Sequence, residues 1–239
     1  MTDAPPLHIG IVACSAEGAA LCYRTICAEA APLLGAHAHP TVSLHGLSLA
    51  DYVECLDRGD LAGVGELMLH SAQALARVGA QLLICPDNTI HQAMPYVLPR
   101  SPLPWLHIAE VVAQEAKARG YRRLGLTGTQ WLVESEVYPE KLGALGLDYR
   151  RPDAGQRARI GRLIMDELVY GRFEADTVAY FLEVIAGLQA QGCDAVVLGC
   201  TEIPLIVDDA NSPLPTLDST RLLARAALRR ALGAAAATP

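Results

Sequence analysis

Two similar α/β lobes, each a parallel sheet flanked by helices and related by a pseudo-two-fold, are the fold class that this sequence predicts. Three observations predict it. Short, uninterrupted apolar runs alternate with amphipathic segments along the whole chain, which is how strands buried on both faces and their covering helices read. One of these strand–loop units recurs in the second half of the sequence. With 239 residues, 51 % of them hydrophobic, the chain can bury a large core in one long domain or two small lobes.

The elements follow in order. Leu7 to Val12 reads as a buried strand and Glu17 to Leu34 as a helix with apolar residues at helical spacing. Thr41 to His45 is a second strand, Leu61 to Val78 a helix and Gln81 to Cys85 a third strand. Pro104 to His107, Arg123 to Thr127, Asp194 to Leu198 and Leu214 to Leu217 repeat the strand pattern. Helices are expected near Ile108–Arg119, Ala158–Val169, Thr177–Gln191 and Ser219–Leu232. No shift in composition marks a linker, so the lobes are expected to be tightly joined. Residues 1–98 with 214–239 would form one and residues 99–213 the other.

Composition excludes several classes. The net charge is −7 and no basic stripe is present, so nucleic acid is not an expected partner. No stretch reaches about 18 uninterrupted apolar residues, so no membrane span is expected. Met1 to Pro6 are polar and carry Asp3, unlike a targeting segment. Seven cysteines without a CxxC or a zinc spacing suit free thiols in a reducing, cytoplasmic compartment. Neither a GxGxxG after a strand, nor a Walker lysine, nor a metal-ligand spacing occurs. No cofactor and no metal are therefore expected.

The repeat carries the chemistry. Gly79-Ala-Gln-Leu-Leu-Ile-Cys-Pro-Asp-Asn-Thr-Ile90 lies without gaps over Gly192-Cys-Asp-Ala-Val-Val-Leu-Gly-Cys-Thr-Glu-Ile203. Gly79 and Gly192 are 113 residues apart, as are Asp87 and Cys200. Ile9-Gly-Ile-Val-Ala-Cys14 resembles Leu124-Gly-Leu-Thr-Gly-Thr129 at an offset of 115. Any two strand–helix units share a glycine and an apolar strand, but two matches at nearly one offset point to duplication. Ligands of α/β sheets gather at the carboxyl ends of strands. Two lobes so related are expected to turn Asp87 and Cys200 toward one ligand. Opposed acid/base groups suit removal and return of a proton on opposite faces of a carbon. With reference values near ~3.9 for a carboxyl and ~8.5 for a thiol, the resting pair is carboxylate plus thiol.

At these motifs the chain resembles the aspartate/glutamate racemase superfamily, over nearly its whole length. Leu198-Gly-Cys-Thr-Glu-Ile203 resembles that family's second catalytic cysteine motif, and Asp87-Asn-Thr-Ile-His91 its first, with Asp87 in place of the usual cysteine. Trp105-Leu-His-Ile-Ala109, Gly128-Thr129 with Tyr138, and Arg157-Ala-Arg-Ile160 followed by Glu167-Leu168 and Gly171 are similar to the broad-specificity aspartate/glutamate branch. The resemblance implies cofactor-independent racemisation of an acidic amino acid. It also implies a small carboxylate or amino-acid substrate, with a homodimer as the expected assembly. Because Asp87 replaces a cysteine, two other readings stay open. One is one-sided proton chemistry, such as malonate-type decarboxylation or enedioate isomerisation. The other is a carboxylate-binding protein without catalysis.

Asp87 and Cys200 are thus the candidate catalytic pair. Ser15, Asn88, Thr89, Thr129 and Thr201 are candidate substrate-binding residues, short donors for a carboxylate, although each could equally cap a loop. A helix start after Cys200 would add free N–H groups that favour a thiolate and bind an anion. His91 and Glu202 are candidates for tuning the pair, and Arg157 and Arg159 for reaching a distal carboxylate. Cys85, two residues before Asp87 at the strand end, is expected to point elsewhere. Cys14, Cys22, Cys27, Cys55 and Cys193 are expected to be structural.

Overall fold

Uninterrupted apolar runs become the central strands of two parallel sheets in the computed structural model, which describes residues 5–233. Met1–Ala4, part of the polar N-terminal stretch, lie outside the described residues. The first sheet holds β1 (Ile9–Ala13), β2 (Val42–Gly46), β3 (Leu82–Ile84) and β4 (Trp105–Leu106), in the order β2-β1-β3-β4. The second holds β5 (Arg123–Thr127), β6 (Asp148–Arg150), β7 (Ala195–Leu198) and β8 (Thr216–Asp218), in the order β6-β5-β7-β8. Every strand pairing is parallel. The two orders are the same, element for element, so the sequence repeat is a repeat of topology.

The longer helices are α1 (Ala16–Leu34), α2 (Leu49–Asp57), α3 (Leu61–Arg77), α5 (Ile108–Ala118), α7 (Val137–Ala144), α8 (Ala154–Asp166), α9 (Ala175–Ala190) and α10 (Ser219–Ala231). Two single turns, α4 (Met94–Val97) and α6 (Gln130–Val133), complete the set. The elements α2, β6 and α7 are not among those expected from the sequence. Among the described residues no helix is long and apolar enough to cross a membrane.

Matching glycines show why the repeat survives in the sequence. Gly79 and Gly192, just past α3 and α9, have φ of +93° and +83°, a conformation that costs side-chain-bearing residues and not glycine. Mid-strand, a Cβ on Gly10 would come within 2.8 Å of the Leu83 side chain, and one on Gly125 within 2.8 Å of Leu188. Both strands need glycine so that apolar side chains can close over them.

The chain divides into two units. One comprises the described residues up to Ile108 with those from Thr220, the other Ala109–Ser219. The expected boundaries, after 98 and before 214, differ from these. Registers explain the difference: Leu83 and Ile84 pair with Trp105 and Leu106, which holds β4 in the first sheet, while Val196–Leu198 pair with Thr216–Asp218, which holds β8 in the second. Each fourth strand then leads into a helix of the other unit. In the first unit α10 is fastened by Leu7 N–H to the Ala231 carbonyl at 2.9 Å and by Arg225 to the Glu29 carboxylate at 2.8 Å.

Each unit has its own core. Val12, Met68, Leu75 and Leu83 pack the first, and Ile164, Phe181, Val196 and Leu198 the second. Polar residues fix the helix ends. Asp153 and Gln156 form a reciprocal capping box at the start of α8, an arrangement in which losing the cap costs about 1 kcal/mol.

Candidate active site

Strand order locates the site. In a parallel sheet ordered 2-1-3-4, the chain leaves β1 toward one edge and β3 toward the other, so a crevice opens at their carboxyl ends. Ser15 follows β1 and Asp87 follows β3, and these strands are neighbours. In the second unit Thr129 follows β5 and Cys200 follows β7, again neighbours. Each unit therefore gathers its own candidate residues at its own switch point.

In the first unit, Asp87 is half-buried and Asn88 and Thr89 are buried. The Asp87 carboxylate accepts the Ile90 N–H at 3.2 Å, so it also shapes a one-turn 3-10 helix, Thr89–Ala93. Ser15 caps α1 by accepting Gly18 N–H at 3.2 Å. His91 is 2 % exposed, with both ring nitrogens engaged. Its Nδ1–H donates to the Asp87 carbonyl at 2.7 Å and its Nε2 accepts Ile108 N–H at 3.3 Å. Burial pushes its pKa down to about 4, against the opposing pull of the Asp87 carbonyl. His91 is thus a neutral strut that fixes the backbone of Asp87. The Cys85 thiol is fully buried and points toward the Asp87 carbonyl at 3.9 Å. Burial, and then the charge of Asp87, push its pKa well up, which leaves it an inert thiol.

In the second unit, Gly199 delivers Cys200. A Cβ there would sit 2.5 Å from the Thr127 carbonyl oxygen, and the Gly199 N–H donates to that same oxygen at 2.9 Å. Cys200 is part-exposed. Its thiol donates to the Glu202 carboxylate at 2.9 Å, and the Thr201 hydroxyl donates to the same oxygen at 2.7 Å. Glu202 is 2 % exposed, so a carboxylate is held inside the loop by two side-chain donors. The expected helix start after Cys200 is absent. Only a three-residue 3-10 turn, Ile203–Leu205, forms there, because Asn211 draws the Ile206 carbonyl into a turn at Asp208. The partner of the thiol is a side-chain carboxylate rather than a row of helical N–H groups.

Thr129 caps α6 by accepting Leu132 N–H at 3.2 Å. Arg157 is paired with Glu134 at 3.2 Å and Arg159 stacks 3.8 Å over the Tyr180 ring, so both arginines are engaged elsewhere. Ser219, not among the candidates from sequence, and Tyr138, named there only for its motif, support the loop. Ser219 donates to the Leu198 carbonyl at 2.8 Å, one residue before Gly199, and the Tyr138 hydroxyl is hydrogen-bonded to Ser219. Only the pairing of Leu198 with Asp218 brings Ser219 there, and no local motif announces it.

The duplicated unit, repeated strand for strand, is the fold of the Asp/Glu racemases. A protein from Yersinia pestis provisionally named an Asp/Glu racemase has a crystal structure that matches with a TM-score of 0.86, at 28 % identity over 95 % of this chain and 99 % of that one. An aspartate racemase homologue from Pyrococcus horikoshii shares the fold with a TM-score of 0.80, at 23 % identity over 94 % and 99 % of the two chains. In sequence, the broad-specificity amino-acid racemase RacX of Bacillus subtilis is 24 % identical over 158 residues, which cover 66 % of this chain and 68 % of RacX. Residues 9–227 match the Asp/Glu/hydantoin racemase family. The chain belongs to that family, and its class is that of the isomerases.

Proposed function

We propose that the protein racemises a small acidic amino acid, aspartate or glutamate, without a cofactor, with Asp87 and Cys200 on opposite faces of the α-carbon. The observation that carries this reading is the Cys200 thiol hydrogen-bonded to a buried carboxylate at the β5/β7 switch point. The Cys200 thiol, fixed in direction by its bond to Glu202, is the proton donor in this reading. Asp87 takes the α-proton of one enantiomer and Cys200 protonates the resulting carbanion from the other face, which leaves Asp87 protonated and Cys200 as thiolate. Return of that proton to sulfur through solvent resets the pair, and the reverse turnover starts from the thiolate. Hydrogen bonds from Ser15, Asn88, Thr89, Thr129 and Thr201 to the substrate carboxylate stabilise the carbanion. Glu202 positions the thiol and His91 positions Asp87. Seven free cysteines support a cytoplasmic setting, and a homodimer belongs to the same reading.

One observation favours one-sided proton chemistry as the second reading. The Cys200 thiol is held by a side-chain carboxylate within its own loop, an arrangement that suits a proton donor acting from one face. Incubation of the protein with L- and D-amino acids in D₂O, followed by NMR and chiral chromatography, separates the two. Racemisation with α-deuteration of aspartate or glutamate supports the first. Deuterium incorporation or decarboxylation without formation of the antipode supports the second. Cys200→Ser should abolish turnover in either case, since a hydroxyl is far too weak an acid near neutrality.

A further inference from the structure

A recess lies within the second unit, between α6 and α8, with a volume of about 390 Å³. Its apolar wall is made by the half-buried indole of Trp131 and the Met165 side chain, and its floor by Gly161. Gly161 lets α8 lie close to α6: a Cβ there would already touch the Gln130 backbone nitrogen at 3.4 Å. The Trp131 N–H has no hydrogen-bond partner among the described residues, although such groups generally find one.

The charges on the wall are of two kinds. Glu134 is already satisfied, by Arg157 at 3.2 Å and Gln130 at 3.3 Å. Arg162 and Asp166 are not. They stand four residues apart on α8, a spacing at which opposite charges commonly pair, yet among the described residues neither forms an ion pair. The recess therefore offers one positive group, one negative group and an aromatic wall to a single occupant.

We propose that this recess binds a free amino acid with an aromatic side chain. Its α-carboxylate meets Arg162, its ammonium meets Asp166, and its ring lies against Trp131 and the Met165 sulfur. A zwitterion carries both charges on adjacent groups, so it satisfies the two side chains together, which a simple anion or cation cannot. Thioether and indole both make favourable contacts with a ring. The volume is at the lower end of what small-molecule sites use, and suits one aromatic amino acid better than a nucleotide. Thr129, a candidate substrate-binding residue, lies at the edge of the recess, but Cys200 does not line it, and the proposal rests on Trp131, Arg162, Met165 and Asp166 rather than on the reaction proposed above.

Trp131 is one of only two tryptophans, so Trp105→Phe leaves it as the reporter within the recess. Titration of that variant with L-phenylalanine and D-phenylalanine should give a saturable change in Trp131 emission at or below about 1 mM for one or both. Arg162→Gln and Asp166→Asn, both at exposed positions, should each weaken binding about tenfold. Phenylpropionate and phenethylamine, each lacking one charge, should bind as poorly. The response should persist when Cys200→Ser is added, which separates this site from the catalytic loop. No saturable response, a response indifferent to Arg162→Gln and Asp166→Asn, or one lost on adding Cys200→Ser would overturn the proposal.

Discussion

Cys200 and Glu202 form an asymmetric donor–acceptor pair, and their substitutions separate positioning from chemistry. Glu202→Gln keeps the size and a hydrogen-bonding group but removes the charge that the thiol faces. We expect kcat to fall by about a hundredfold with KM little changed, because the loss falls on proton transfer and not on binding. An unchanged kcat would remove Glu202 from the machinery. His91 makes a different prediction. Its folded pKa of about 4 lies below the ordinary histidine value of 6.5, so the unfolded chain binds the extra proton first as pH falls. Stability from this residue is complete above pH 6.5 and is lost between there and pH 4, a contribution of about 3 kcal/mol. Chemical denaturation across that window should show a shallower pH slope in His91→Gln than in the parent, whatever the absolute loss from its two hydrogen bonds. At this scale the sequence marks both loops, since Asp87 and Cys200 occupy repeat-related positions. Glu202 was legible as a candidate for tuning the pair, but its direct bond to the thiol was not, because that bond depends on a turn that replaced the expected helix.

Elements depend on where backbone and side chains come close. Gly199 lies under the Thr127 carbonyl, and Gly199→Ala must push the Cys200 loop away from the sheet. We expect about 1–3 kcal/mol of destabilisation together with a large fall in turnover from a folded protein. Denaturation midpoints and steady-state rates read the two effects separately, and a fully active variant would mean that the loop can relax at no cost to the thiol's position. Central strands were the most legible elements, since their burial on both faces leaves long apolar runs such as Ile9–Val12 and Val196–Leu198. α2 was missed although Leu49, Tyr52, Val53 and Leu56 stand at helical spacing after the Ser48 cap, because the helix is only nine residues long and follows an edge strand closely. β6 is a short edge strand whose Asp148, Tyr149 and Arg150 are polar or half-exposed, and nothing apolar announces it.

The whole molecule is a duplication in which each fourth strand leads into a helix of the other unit. That arrangement hides the boundaries from sequence, for no linker is needed where secondary structure continues directly from β4 to α5 and from β8 to α10. It also makes the C-terminal helix part of the first unit's stability. Leu223 on α10 is fully buried, and Leu223→Ala should cost about 2–5 kcal/mol, seen as an earlier unfolding transition. An unchanged transition would mean that α10 is not integral to that unit. The proposed function requires that one copy supply Asp87 and the other Cys200 to a single substrate carbon. Asp87→Asn in D₂O measures it most directly, with each enantiomer of aspartate and glutamate followed by NMR. With its partner base gone, Cys200 should still exchange the α-proton on its own face. One enantiomer should then gain deuterium while its antipode never forms. Racemisation by Asp87→Asn at the parent rate would contradict the pairing and reduce Asp87 to a turn residue.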